Sequence, residues 1–332
     1  MVIYIPVLCY IRNLFIFRHI NTNRLKGETM SRRRRSSRRN LITWTLIGVV
    51  VGLILSGPLL YNGQISRLND RIDELEGGAP SEPQGALTIA GSSTVLPITQ
   101  EIANEFMAKY SRVEISVAGG GSGHGIKAAG SGEVDIGEAS RNIKDTEYLS
   151  YPDLVAFSLG KDSVAIVVNP ENSLAGDLDL TLEEISKVFS GEIDNWSLLG
   201  GEDHVIEIYT REAGSGTREV FDTYVLESHG VDFAGDAGVK PSNGEMRASV
   251  AGNRYGIAYI SLGYVDETVT AITVQGVEAT AENVNSGDYP ITRILWMFTN
   301  GMPDSLERAF IEFVRGDEGQ AIVEDFGYIP IG

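Results

Sequence analysis

Between residues 87 and 141 the chain repeats one local pattern: a short apolar stretch, a turn of glycine and small hydroxyl residues, then an amphipathic run. Leu87 to Ala90 reads as a strand, and Gly91-Ser92-Ser93-Thr94 leads from it into a helix predicted through Ile98, Ile102, Phe106 and Tyr110. Val113 to Val117 alternates like a second strand and ends in Gly119-Gly120-Gly121-Ser122-Gly123-His124-Gly125, with a helical stretch expected from Ile126 to Ala129. A third strand, Val134 to Gly137, ends at Glu138-Ala139-Ser140-Arg141. Strand, turn and helix in series specify an α/β body with a parallel sheet, and the carboxyl ends of its strands share one edge where ligands bind.

A fourth turn carries the strongest chemistry. Arg211-Glu212-Ala213-Gly214-Ser215-Gly216-Thr217 follows an extended stretch, His204 to Tyr209, and precedes a helical pattern through Arg218, Val220, Phe221 and Tyr224. Ser215, Gly216 and Thr217 therefore fall at a helix start, where unpaired amides face outward and favour anions. Glycine permits close backbone approach, the hydroxyls add neutral donors, and the planar Arg211 fork grips two oxygens at once. The plain alternative is an ordinary strand-to-helix turn with a hydroxyl cap. The loops carry no Walker A lysine, and Gly119 to Gly125 lacks the G-x-G-x-x-G spacing, so neither nucleotide fingerprint is present.

Charge narrows the partners. Residues 1–40 hold ten Lys or Arg and one acid, whereas residues 41–332 hold 17 bases and 44 acids. So acidic a body repels nucleic acid, and it can hold a free anion only at a local site that overcomes the long-range field. Arg outnumbers Lys by 20 to 7, which with the acidic surplus is compatible with a salt-rich habitat. Cys9 is the single cysteine, which excludes an intrachain disulfide and a cysteine metal cluster, and the four histidines lie at 19, 124, 204 and 229 without metal-ligand spacing. Neither a metal nor another cofactor is expected.

The first 85 residues read as a delivery and anchoring segment. Leu41 to Leu60 runs 20 residues without a charge, directly after the arginine-rich stretch Arg32 to Arg39. That matches a transmembrane helix over 41–60 with residues 1–40 as a basic cytoplasmic N-terminus. A cleaved signal peptide is the alternative, although no A-x-A site follows. Ser37-Arg38-Arg39-Asn40-Leu41 resembles a twin-arginine export signal. Met30 directly precedes the basic run and is a candidate start of translation. Cys9 lacks the small preceding residue of a lipid-attachment box. Residues 61–85 then combine a short amphipathic stalk, with Ile65, Leu68, Ile72 and Leu75 at 3,4,3 spacing, and the flexible linker Gly77 to Gly85.

Five segments in order carry a family resemblance: GSSTVLP (91–97), GGGSGHGIKA (119–128), VDIGEASR (134–141), FSGEIDNWSLLGG (189–201) and REAGSGTREVF (211–221). From about Ala86 to the C-terminus the chain resembles the phosphate-binding subunit of the phosphate-specific ABC transporter. The resemblance implies a two-lobed type II periplasmic-binding-protein fold with two crossover strands, here preceded by an N-terminal transmembrane helix. The crossings are expected near Ser163 to Asn169 and near Thr292 to Phe298. Domain I would combine 86–163 with 268–332, and domain II would hold 164–267. By the same resemblance inorganic phosphate is held by Ser93, Thr94, Val95, Ser122, Ser140, Arg211, Ser215, Gly216 and Thr217, with Ser92, Leu96 and Arg141 beside them. Val95 and Leu96 would contribute backbone amides.

One departure concerns selectivity. Members of that family place an Asp after the VD-x-G strand to accept the proton of phosphate; here Ser140 stands there, or Arg141 if one residue is inserted. Arg141 is otherwise read as ion-paired with Glu138 or Asp145. His124 is read as a solvated loop residue rather than a ligand, Trp196 as a packing aromatic, and Asn243 as a helix cap. The implied function is capture of phosphate outside the cytoplasm and delivery to an ABC permease and, through it, to its ATPase. A receptor or sensor for another oxyanion (sulfate, molybdate or arsenate) is the alternative. A phosphatase or serine hydrolase lacks its G-x-S-x-G elbow and metal set, so no catalytic residue is assigned.

Overall fold

The computed structural model of the chain describes residues 82–331. Strands β1 (Gly85–Gly91), β2 (Val113–Ala118) and β3 (Ile136–Ala139) run parallel with β1 in the middle, as their strand-turn-helix grammar requires. Helix α1 (Leu96–Lys109) carries Pro97 in its first turn, buries Ile98, Ile102 and Phe106 at four-residue spacing and ends with Lys109. Helix α2 (Ser122–Ser131) begins four residues before the predicted Ile126, so half of the glycine-rich run is helix rather than loop. The reason is close packing on the sheet. A Cβ at Gly125 would lie 2.3 Å from the carbonyl oxygen of Glu138, so the helix can sit there only with glycine at that position.

The chain then passes α3 (Asp145–Ser150) and enters β4 (Leu154–Val168), whose two halves have different partners. Leu154 to Ser163 pairs antiparallel with β11 (Thr292–Asn300), and Val164 to Val168 pairs antiparallel with β8 (Gly256–Ser261). β11 in turn pairs β3. The partner change between Ser163 and Val164 is the passage from one lobe to the other. The second lobe continues β8 with β6 (Glu207–Arg211) and β7 (Gly238–Lys240), giving the sheet order β2-β1-β3-β11-β4-β8-β6-β7. Its helices are α4 (Leu182–Phe189), α5 (Gly216–Phe221), α6 (Asn243–Ala251) and α7 (Ala281–Ser286), and β5 (Asp179–Leu180) pairs β10 (Thr273–Val274) in a separate two-stranded sheet.

Each lobe has its own core. In the first, Phe106 of α1 meets Phe310 of α8 (Ser305–Arg315) edge to face at 5.4 Å. In the second, Phe221 stacks on Tyr259 at 4.2 Å, with Phe189 packed beside both. Burying each such side chain contributes about 1.5–3 kcal/mol. Trp196, 1% exposed and donating its indole N–H to Tyr255 O, is a packing aromatic of this core. The expected boundary at 268 is corrected here. Val269, Ile272, Val274, Val284, Tyr289 and Ile291 pack into the second core, because β9 (Thr270–Ala271) pairs the second half of β4. The chain returns to the first lobe only along β11.

No helix among the described residues is long and apolar enough to cross a membrane. The expected span at 41–60, the basic segment, the stalk and the Met30 start all lie outside the described residues.

Candidate functional site

The loops after β1, β3 and β6 and the start of α2 meet where the lobes face each other. Ser92 Oγ donates to Ser140 Oγ at 2.9 Å, and Ser122 Oγ accepts from Ser140 N at 3.0 Å and lies 3.3 Å from Ser140 Oγ. From the second lobe, Thr217 Oγ1 lies 3.2 Å from Thr94 Oγ1. Gly216 is pressed between the lobes, and a Cβ there would lie 2.2 Å from Ser122 Oγ and 2.7 Å from Ser140 Oγ. Gly123 N donates to Gly214 O at 3.1 Å, which ties the second loop to the fourth. Thr94, Ser122, Ser140 and Thr217 are all buried. The sequence pattern had marked these turns singly; the fold brings them into one ring.

Arg211 closes the ring from the end of β6. It is 1% exposed, its Nε and Nη2 face Glu212 at 3.0 and 2.8 Å, and Nη2 also donates to Ser93 Oγ at 3.2 Å across the lobes. Its Nη1 is buried without a hydrogen-bond partner. A buried guanidinium N–H left unpaired is costly unless an acceptor is supplied there, so this atom marks where an anion's oxygen belongs.

Not every expected residue faces the ring in the expected way. The amides of Val95 and Leu96 both donate to Ser92 O at 3.0 Å, so this turn presents hydroxyls rather than amides. Ser215 is the N-cap of α5 and accepts from Arg218 N. Arg141 is turned away from the ring. It grips Glu147 with two hydrogen bonds of 2.8 and 2.7 Å and reaches Glu219 of the second lobe at 2.6 Å; Lys144 joins Glu219 at 2.8 Å. The expected partners Glu138 and Asp145 are replaced by Glu147 and Glu219: Glu138 is wholly buried and turned to Thr99, while Arg141, past the end of β3, reaches α3 and the second lobe. Burial raises the Glu147 carboxyl, but the Arg141 and Lys144 contacts outweigh it and hold it below the ordinary glutamate range. Beside this latch a cavity of about 570 Å³ is lined by Arg141, Lys144, Lys161, Glu219, Tyr224 and Arg293.

Two groups were missed in the sequence or misassigned. Arg293, on the crossing strand β11, donates from Nη1 to Thr217 Oγ1 at 3.0 Å and to Ser140 Oγ at 3.4 Å, and from Nη2 to Thr94 Oγ1 at 3.3 Å. A charge inside the apolar run Ile291 to Phe298 was the available signal. Asn243, expected as a cap, gives that role to Ser242 and instead donates from Nδ2 to Thr94 Oγ1 at 2.8 Å, fully buried. His124 is exposed, as expected, though it stands on α2 rather than in a loop. Below the ring Glu138 is wholly buried and held by the Thr99 hydroxyl, and burial pushes its carboxyl up to about 8. Tyr264 donates to Ser93 O at 2.7 Å, and burial pushes its phenol up to about 12.

Two α/β lobes on crossing strands, with donors from both lobes converging between them, define a two-lobed solute-binding protein. A family model described as a PBP superfamily domain matches residues 78–318. The phosphate-binding protein PstS of Bacillus subtilis is 34% identical over 249 residues, 74% of this chain and 81% of that protein. Among solved structures, a putative phosphate ABC transporter substrate-binding protein from Clostridium perfringens, with bound phosphate, is 34% identical with a TM-score of 0.69, covering 75% of this chain and 100% of that one. An ABC-type phosphate transport receptor from Vibrio cholerae is 30% identical with a TM-score of 0.62, covering 74% and 100%. The chain belongs to the PBP superfamily and, within it, to the family of the phosphate-binding PstS proteins.

Proposed function

We propose that this chain is an extracytoplasmic receptor that captures inorganic phosphate between its lobes and delivers it to an ABC permease and its ATPase. One observation carries the reading: the buried, unpartnered Nη1 of Arg211 beside a ring of buried hydroxyls drawn from both lobes. The names of the relatives supply the ligand and the transport role. The chain is a binder, not an enzyme. Its proposed contacts are Arg211, Ser93, Thr94, Ser122, Ser140, Gly216 and Thr217, with Arg293 added. Ser92, Val95, Leu96 and Ser215 shape the turns, and Arg141 holds the lobes together. Domain I is proposed as 86–163 with 292–332, and domain II as 164–291. Residues 41–60 are proposed as a single-pass anchor that keeps the binding body outside the cytoplasm, supported by the uncharged run and its basic flank.

Ser140, standing where the family's acceptor Asp is expected, supports a second reading as a receptor for another oxyanion. Calorimetric titration with phosphate, sulfate, molybdate and arsenate separates the two. Phosphate is expected to bind most tightly, and Arg211→Ala to weaken it roughly 100-fold or more, since a charge-assisted bond and the burial of an anion's charge are lost together. Sulfate binding as well as phosphate, or an unchanged Arg211→Ala, would reject the assignment.

A further inference from the structure

Phosphate differs from sulfate in carrying a proton near neutral pH, and a buried site must offer that proton an acceptor. The carboxylates of the described ring are already turned to cations and amides. Asp162 Oδ2 takes Arg293 Nε and Nη2 and Ser261 Oγ, while its Oδ1 takes Leu262 N. Glu212 turns both oxygens to Arg211. The hydroxyls of the ring are the acceptors that carry no ion-pair partner of their own.

Counting lone pairs distinguishes the hydroxyls, each of which has one proton and two acceptor positions. Thr94 Oγ1 accepts from Asn243 Nδ2 and from Arg293 Nη2, and the Asn243 amide cannot be flipped, because its Oδ1 accepts from the backbone N–H of Ser261. Ser140 Oγ accepts from Ser92 Oγ and from Arg293 Nη1. Both have their lone pairs filled and can only donate. Thr217 and Ser93 each keep one lone pair but already accept from a guanidinium, which draws down their basicity. Ser215 is turned to its own helix amide at Arg218. Ser122 Oγ accepts the neutral backbone N–H of Ser140 and no guanidinium N–H; its other neighbour is Ser140 Oγ at 3.3 Å, whose proton turns to the anion once phosphate is bound, leaving that lone pair of Ser122 open against Gly216.

We propose that Ser122, and not Ser140, accepts the proton of bound phosphate, with Ser140 and Thr94 locked as donors by Arg293 and Asn243. This rests on the reading of the site as a phosphate site. The charged and titratable groups around it are as follows. On the first lobe, Glu138 is held through one oxygen by Thr99 with its Oε2 buried and unpartnered, Tyr328 donates to Thr94 O, and His124 is exposed. On the second, Tyr264 donates to Ser93 O and Arg218 to Arg211 O. The crossing strands bring Asp162 with Arg293, and the latch pairs Arg141 and Lys144 with Glu147 and Glu219.

Titration of the full chain with phosphate at pH 5.5, 7.0 and 8.5 tests it in wild type, Ser122→Ala and Ser140→Ala. Monobasic phosphate has two protons to place and dibasic phosphate one, so losing the acceptor penalises binding more at low pH. In Ser122→Ala the affinity ratio between pH 8.5 and 5.5 is expected to grow about tenfold over wild type, the cost of one buried unsatisfied donor. Ser140→Ala is expected to weaken binding by a similar factor at every pH. A steeper profile in Ser140→Ala, or a Ser122→Ala profile parallel to wild type, would overturn the assignment of Ser122 alone. Wild type failing to bind phosphate at any pH would overturn the phosphate reading itself.

Discussion

Arg293 and Asp162 face each other across the two crossing strands, one on β11 and one on β4, with Nη2 and Oδ2 2.6 Å apart and the side chains 2% and 0% exposed. The pair sits where the lobes join, and the free edge of the guanidinium reaches the hydroxyls of Thr94, Ser140 and Thr217. Asp162 thus orients the arginine, and the arginine orients the ring.

Removing one partner strands the other in a buried position. Arg293→Ala is expected to cost about 3–5 kcal/mol in urea denaturation. The double change Asp162→Leu with Arg293→Met should recover most of that stability but not phosphate affinity, because the ring loses its anchor. Recovery of both would show that the pair serves the fold alone.

Gly216 is the position where space, rather than backbone freedom, requires glycine. In Gly216→Ala the added methyl meets Ser122 Oγ at 2.2 Å, so the lobes cannot approach as they do here. Phosphate affinity is expected to fall about 10- to 100-fold by calorimetry, while thermal unfolding changes little. Wild-type affinity would mean that closure does not bring these two residues together.

Glu138 ties stability to pH. Its native carboxyl is pushed up to about 8 by burial, whereas the unfolded chain has the ordinary value near 4.5, so between these values the native state holds the extra proton. Stability is therefore expected to fall as pH rises from about 4.5 to about 8 and to level off above, by on the order of a few kcal/mol from this group. Glu138→Gln should flatten that slope, as read by denaturant midpoints at pH 5 and 8. An unchanged slope would assign the pH dependence elsewhere.

The latch formed by Arg141, Lys144 and Glu219 joins the lobes, and Glu147 holds the Arg141 guanidinium in place for it. Glu219→Gln is expected to lower phosphate affinity roughly fivefold and to enlarge the radius of gyration without ligand in small-angle scattering. Because Glu147 is held below the ordinary glutamate range, its contribution is complete above that range and is lost as pH falls through the lower native value. Identical scattering and affinity in the variant would remove the latch from closure.

Much of this was legible in the chain because it is local. Apolar runs followed by Gly-Ser-Thr turns and helical spacing determine the α/β class, the hydroxyl turns at 92–94, 122 and 215–217 and Arg211 stand out by residue type, and Ser140 is marked by the family resemblance. An Arg beside glycine and serine at a helix start carries its chemistry in consecutive residues. Tertiary structure decided what depends on distant partners. Arg293 is separated from Thr94 by 199 positions, and only the crossing of β4 and β11 lays its guanidinium on that hydroxyl. The same applies to Asn243 on Thr94, to Arg141 on Glu219, and to the segment 269–291, which joins the second core through β9. Sequence spacing specifies which side chains share a face of one element. Which lone pairs are filled, and hence which hydroxyl gives and which receives a proton, is settled only by donors that arrive from elsewhere in the fold.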